Sequence, residues 1–223
     1  MFSEQKSRMD YITLNGIRDR TGFDGEDLYQ FVIKELLDNA VDDLEKKYAA
    51  TRTTNNDIPQ VRVSISADCK TSGNDGKNYK YLKLKVQNST VITSTKNDDD
   101  DDDIPIFTLE TLHSIFSFDS FFSSKRNQYK ITRGALGDAL KEVNCIPYAI
   151  SKEYYNIEWN EPLIISSGKE RFFITLDVDR FNQKIDVQIA SDQNNNCNSG
   201  VIKEGDGKKI QQKYTEIMVS HQV

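Results

Sequence analysis

The stretch Glu35-Leu36-Leu37-Asp38-Asn39-Ala40-Val41-Asp42 concentrates three carboxylates and one amide. On a helix at 100° per residue, Glu35, Asp38, Asn39 and Asp42 fall within one third of the circumference. Ile33, Leu37, Ala40 and Leu44 fall on the opposite side, as a core stripe would. Like charges three and four residues apart repel on a helix, and Asn and Asp are mediocre helix formers. The cluster is therefore mildly unfavourable for helix stability. Two readings account for it. One is a Mg²⁺-nucleotide site, because Mg²⁺ takes hard oxygen ligands, few from protein and the rest from phosphate and water. Asn39 would then supply an amide oxygen without added charge, and Glu35, one turn earlier, would accept a proton from an attacking water. The other is the ordinary solvated face of an amphipathic helix.

A second candidate lies at Arg133-Gly134-Ala135-Leu136-Gly137-Asp138-Ala139-Leu140-Lys141-Glu142-Val143, a glycine turn running into a helix. Glycines let backbone N–H groups approach a phosphate, and a helix N-terminus adds positive potential. Lys125, Arg126, Lys130 and Arg133 stand just upstream, where they would meet the same anion. A tight turn followed by a helix start explains the glycines equally well.

The elements that must position these residues follow from pattern. Residues 3–20 carry Met9, Ile12, Leu14 and Ile17 at roughly helical spacing, predicting a short N-terminal helix. Thr21–Gly25 breaks it, Asp24 suits an N-cap, and the main helix runs from Asp24 to about Tyr48, with Lys46 and Lys47 matched to its C-terminal dipole. Val61–Ser66 and Tyr81–Val86 alternate cleanly, predicting an antiparallel strand pair. Gln87–Asp103 reads as a loop ending in the run Asp98–Asp103, where like charges repel and solvate. Thr108 to about Phe118 predicts a short helix. After Pro147 the texture changes to strands at 163–166, 171–177, 184–190 and 209–219. The fold class is α+β, one layer of helices on one sheet, in a single domain over 1–223 with an N-terminal helix at 1–22, an acidic loop at 92–105 and a lid at 117–133.

Composition narrows the function classes. The 223 residues carry 29 Lys+Arg and 35 Asp+Glu, a formal charge of -6. Setting aside Asp98–Asp103 leaves 29 acidic against 29 basic residues, so no broad basic surface is available and direct DNA binding by this chain is disfavoured. Cys69, Cys145 and Cys197 are far apart, which argues against a disulfide framework or a zinc site. Only His113 and His221 are present, so histidine-rich metal chemistry is not expected. No apolar run has the length of a membrane span, and a cytoplasmic protein without membrane contact is the expectation. The aromatic residues Tyr148, Tyr154, Tyr155 and Trp159 read as packing, and Phe116, Phe118, Phe121 and Phe122 as the core of a lid.

The two motifs together, with the strands and long loop between them, resemble the GHKL ATPase superfamily of gyrase, heat-shock-90 chaperones, histidine kinases and MutL proteins. Glu35–Asp42 is similar to its N box, and Arg133–Leu140 to its glycine box. Ser123-Ser124-Lys125 is similar to the lid of the topoisomerase VI B subunit, and that branch is the nearest resemblance, over roughly residues 8–190. The resemblance implies a Bergerat fold, a mixed and largely antiparallel sheet with helices on one face, binding ATP and Mg²⁺. Glu35 would be the general base and Asn39 the metal ligand, with Asp38 and Asp42 supporting the site. Arg133, Gly134, Leu136, Gly137 and Lys141 would line the triphosphate, with Lys125 closing from the lid. Catalysis would rest on electrostatic stabilisation and water positioning.

The resemblance departs at the adenine box. The usual Asp-x-Gly-x-Gly is replaced by Gln87-Asn88-Ser89-Thr90-Val91, leaving an amide oxygen of Gln87 or Asn88 as the acceptor. The chain stops at Val223, soon after the sheet, so slow or partner-dependent hydrolysis is expected. Nucleotide would drive lid closure or homodimerisation, or a separate protein would supply the transducer or effector, in a DNA-topology or DNA-processing system. The alternative is a non-hydrolysing regulatory or scaffold module that keeps the fold. Histidine-kinase activity is disfavoured, because no histidine-bearing helix precedes Glu35.

Overall fold

Helices lie on one face of an antiparallel sheet in the computed structural model. The structure describes residues 8–51, 59–71, 78–92, 107–119, 138–157, 159, 161–167, 170–192, 202–203 and 209–222. A 3₁₀ turn at Arg8–Ile12 leads into α1 (Leu14–Thr21), and a second at Gly25–Asp27 leads into α2 (Leu28–Thr51). The hairpin strands β1 (Pro59–Thr71) and β2 (Asn78–Ile92) follow, then α3 (Leu109–Phe116) and α4 (Ala139–Tyr155). The rest is β3 (Leu163–Ser167), β4 (Glu170–Asp179), β5 (Lys184–Asp192), the short β6 (Ile202–Lys203) and β7 (Lys209–Gln222). The sheet order is β1-β2-β7-β3-β4-β5, with β6 paired to β7, and every pairing is antiparallel. The α+β class and the paired strands β1 and β2 agree with the sequence expectation.

Alternation decides which sheet face is covered. Val86, Leu163, Ile165, Phe172 and Ile174 are buried against Leu36, Leu112, Phe116, Val143 and Ile150 of the helices, and Ile185 against Ile12, Cys145 and Tyr148. Fully burying one such side chain contributes about 1.5–3 kcal/mol, so this one-sided layer is the main source of stability.

Three expectations change. First, β2 continues through Gln87 to Ile92, which the sequence reads as loop; that segment pairs with β1 on one side and β7 on the other, so its polar residues have both strands as backbone partners. Second, α4 passes through Pro147 to Tyr155. A proline inside a helix costs roughly 3 kcal/mol, but Ile146, Tyr148, Ala149 and Ile150 around it are all buried, and their burial outweighs that cost. Third, 3₁₀ residues Gly25–Asp27 separate Asp24 from the start of α2, which extends past Lys46 and Lys47 to Thr51. The acidic run Asp98–Asp103, Phe121, Phe122, Cys197 and nearly all of the lid lie outside the described residues. Cys145 is buried and Cys69 exposed, His113 is exposed, and Tyr154 and Tyr155 are exposed while Tyr148 is core.

Thr13 caps α1, accepting from the Gly16 backbone N–H at 3.2 Å, and Gly22 closes it in the left-handed region at φ 77°. Gly16 is tightly covered: a Cβ there would lie 2.2 Å from the Asp10 carbonyl oxygen. Within a helix, Gly→Ala normally stabilises by about 1 kcal/mol, whereas overpacking against fixed atoms costs about 1–3 kcal/mol. The clash is with backbone, so Gly16→Ala is expected to lower the urea midpoint. A raised midpoint would show that the 3₁₀ turn does not lie on α1 in this way.

Candidate functional site

The α2 helix carries its chemistry beside its buried side rather than on an open one. Leu28, Phe31, Val32, Leu36, Ala40 and Leu44 are buried, while Gln30, Lys34, Val41 and Glu45 are exposed. Ile33 and Leu37, expected in the core stripe, are only partly covered. Glu35, Asp38 and Asn39 flank the buried stripe, and Asp42 is itself buried at 3 % exposure. The solvated-face reading therefore does not describe this helix. It fails because two of the buried apolar residues, Leu28 and Phe31, lie on the same side as the acids at 100° per residue.

Local contacts fix each polar group. Lys34 Nζ donates to Glu35 Oε1 at 2.7 Å and to Asp38 Oδ2 at 3.1 Å. The hydrogen bond to Glu35 is the main reason the Lys34 ammonium titrates above its usual range, and the bond to Asp38 adds to it. The Asn39 amide nitrogen donates to the Glu35 backbone carbonyl at 2.8 Å. A carbonyl only accepts, so the nitrogen must face it and the Asn39 side-chain oxygen points away from that bond as an acceptor. On β2, Asn88 is 2 % exposed; its amide nitrogen donates to the Asp43 carboxylate and, at 3.4 Å, to the Ala40 carbonyl. Adjacent strand residues face opposite ways, so Gln87 lies on the sheet face away from the helices. The two amides do not line one site.

A buried ionic cluster at the start of α4 has no counterpart in the sequence reading. Asp138 occupies the N-cap position but makes no side-chain cap. Instead its Oδ2 accepts from Arg20 Nη2 at 2.8 Å and its Oδ1 from Lys141 Nζ at 3.3 Å. Arg20 Nε donates to Glu142 Oε1 at 3.0 Å, Nη2 also donates to the Tyr11 hydroxyl at 2.6 Å, and the guanidinium lies 3.7 Å from the Tyr11 ring centroid. The Arg20, Asp138 and Glu142 side chains are each 9 % exposed and Lys141 is 1 % exposed. Burial pushes the Glu142 carboxyl above its ordinary range, against the pull of Arg20; the charges of Asp138 and of Glu35 on α2 push it further up. Burial raises the Tyr11 hydroxyl and the neighbouring Cys145 thiol as well. At its other end α4 accepts from α1, the Leu14 backbone N–H donating to Glu153 Oε1 at 2.9 Å.

The helix α2 packs against α4, and the Glu35 charge is felt at Glu142 in the first turn of α4, next to Lys141. Lys125, Arg133, Gly134, Leu136 and Gly137 lie outside the described residues. Tyr11, Lys34, Asp43, Arg20, Asp138 and Glu142 are additions. The one sequence sign for them is the i,i+4 spacing of Asp138 and Glu142, and nothing local marks Arg20 as their partner. A cleft of about 250 Å³ lies elsewhere, lined by His113, Phe116, Phe118, Asp119, Ile185 and Val187 among others, with no residue of α2 or α4. The titratable side chains lining that cleft are His113, Asp119 and Asp186. Among the described residues, no three His, Cys, Asp or Glu side chains converge to hold a metal ion on their own, and no helix is long and apolar enough to cross a membrane. Comparison with protein-family models, with curated proteins and with solved structures finds no match to this chain.

Two outcomes follow. Arg20→Met leaves two carboxylates buried beside each other, and stability by urea denaturation is expected to fall by about 3–5 kcal/mol; a loss under about 1 kcal/mol would mean the cluster is hydrated. Between the ordinary carboxylate range and the raised Glu142 value, the folded chain keeps a proton that the unfolded chain has released. Stability therefore falls as pH climbs through that interval. Glu142→Gln should flatten this part of the stability–pH curve, and an unchanged slope would contradict the buried, raised carboxyl.

Proposed function

We propose that the chain is a Mg²⁺-dependent ATP-binding domain of the GHKL type, with a Bergerat arrangement in which nucleotide sits between α2 and the start of α4. The observation that carries this reading is that α2, the helix bearing Glu35, Asp38 and Asn39, packs directly against α4. The acid-and-amide helix and the helix that follows Gly134 and Gly137 in the sequence come from opposite halves of the chain and pack together.

The residues present fit the group. The Asn39 nitrogen is engaged by the Glu35 carbonyl, so the Asn39 oxygen is the atom that would hold Mg²⁺, without added charge. Because no three side chains converge to hold a metal among the described residues, most ligands would come from phosphate and water, as is usual for Mg²⁺. The metal, when bound, neutralises phosphate charge. Glu35, with its side chain 15 % exposed and oriented by Lys34, would take the proton of a water. The Asp138 side chain faces Arg20 and Lys141 rather than capping α4. An anion at this end of α4 would meet the positive end of the helix dipole. Hydrolysis would be slow, and nucleotide would act through lid closure or association of copies.

A second reading, a module that keeps the fold without using nucleotide, is favoured by Asn88. The residue is 2 % exposed and held against α2 by Asp43 and Ala40, so its side chain is covered where a base would have to reach it.

Calorimetry with Mg²⁺ and a non-hydrolysable ATP analogue tests the first reading. Saturable heat is expected, weakened tenfold or more in Asn39→Ala, while Glu35→Ala keeps binding and loses turnover. No heat at millimolar nucleotide would overturn it. The second reading is removed if Mg²⁺-ATP raises the melting temperature, and supported if melting is unmoved.

A further inference from the structure

The strand β1 ends the sheet, and among the described residues it pairs only with β2. It is a long edge: Pro59–Thr71, with its proline at the first position. Natural edges of this kind are usually shortened, bulged or covered, because a row of unpaired N–H and C=O groups invites another strand. The helix layer packs mainly on β2 and reaches little of β1. Val61, Val63, Ile65 and Ala67 stand across from Asn88, Val86, Leu84 and Leu82, hence on the helix side. Yet Val63 is 39 % and Ile65 61 % exposed. The opposite edge differs: in β5, Ile185 is buried and α3 packs over the strand.

What would cover β1 can be read from its own sequence. An antiparallel pair of two β1 strands has a two-fold axis, and residue types opposite each other follow from where the axis falls. With the axis at Ile65, Ile65 faces itself, Val63 faces Ala67, Val61 faces Cys69 and Ser64 faces Ser66. Arg62 faces Asp68, and symmetry repeats that pairing. Apolar positions meet apolar ones on the helix side, and opposite charges meet on the other face, both favourable cross-strand pairings. With the axis at Ser66, Arg62 would face Lys70; with the axis at Ser64, Arg62 would face Ser66 and the charge match is lost. A shift by half a step would set apolar against polar throughout.

We infer that β1 is the contact through which a second copy of this chain joins the sheet, antiparallel and centred on Ile65. The contact needs no nucleotide and stands independently of the function proposed above.

Light scattering during size-exclusion chromatography and sedimentation equilibrium of the full chain test it. A dimer is expected at roughly 0.1 mM protein without nucleotide. Arg62→Asp and Asp68→Arg each put like charges opposite and should raise the dissociation constant about tenfold or more; the double exchange Arg62→Asp with Asp68→Arg should return it to within about threefold of the wild type. Ile65→Lys, which sets two ammonium groups on the axis, should give monomer with unchanged circular dichroism. A wild-type monomer at that concentration overturns the inference. So does a dimer that ignores all four variants, or a double exchange that fails to restore association.

Discussion

The Arg20 guanidinium is the fixed point of the helix layer. It reaches Tyr11 in the first 3₁₀ turn and both Asp138 and Glu142 at the start of α4. The N-terminal segment and the middle of the chain are locked at one buried place as a result. Such a cluster is not an efficient source of stability, since desolvating charges offsets most of their attraction. The upward shift of Glu142, with burial as its largest cause even beside Arg20, is a direct sign of that balance. What the cluster provides is position. It holds the first turn of α4 against α1.

The remaining architecture follows from α4 being covered on all sides. Every residue from Leu140 to Ser151 is buried, with the sheet beneath and the 3₁₀ turn, α1, α2 and α3 around it. A helix so enclosed tolerates Pro147, and it transmits the position of its first turn to the sheet through Val143, Ile146 and Ile150 in the shared core. Asn88 ties α2 to β2 in the same layer. The two helices that would hold a nucleotide are thus anchored separately, α2 by an amide in the sheet and α4 by the ionic cluster.

Periodicity made most elements readable. Strict alternation marks β1, β2, β4 and β5, and the helical patterns mark α1, α2 and α3. Pattern failed where partners lie far away in sequence. Gln87–Ile92 looks like a loop because its polarity is local, while its strand state depends on β7 at the far end of the chain. Spacing puts Leu37 in the core, but Leu36 and Ala40 are the buried positions and Leu37 is only partly covered. Glu35, Asp38, Asn39 and Asp42 were legible as a chemical group because they are close in sequence. Arg20 was not, because a buried ion pair between two distant segments leaves no spacing to read.

The proposed metal-nucleotide site is shared by α2 and the start of α4. Replacing Mg²⁺ by paramagnetic Mn²⁺ in an NMR sample of the chain with an ATP analogue locates that site without reliance on turnover. Selective broadening of the amide signals of Glu35–Asn39 and of Ala139–Lys141, with Ile185–Ile189 beside the α3–β5 cleft left sharp, is the predicted result. Broadening centred on the cleft, or none attributable to nucleotide-bound metal, would contradict it.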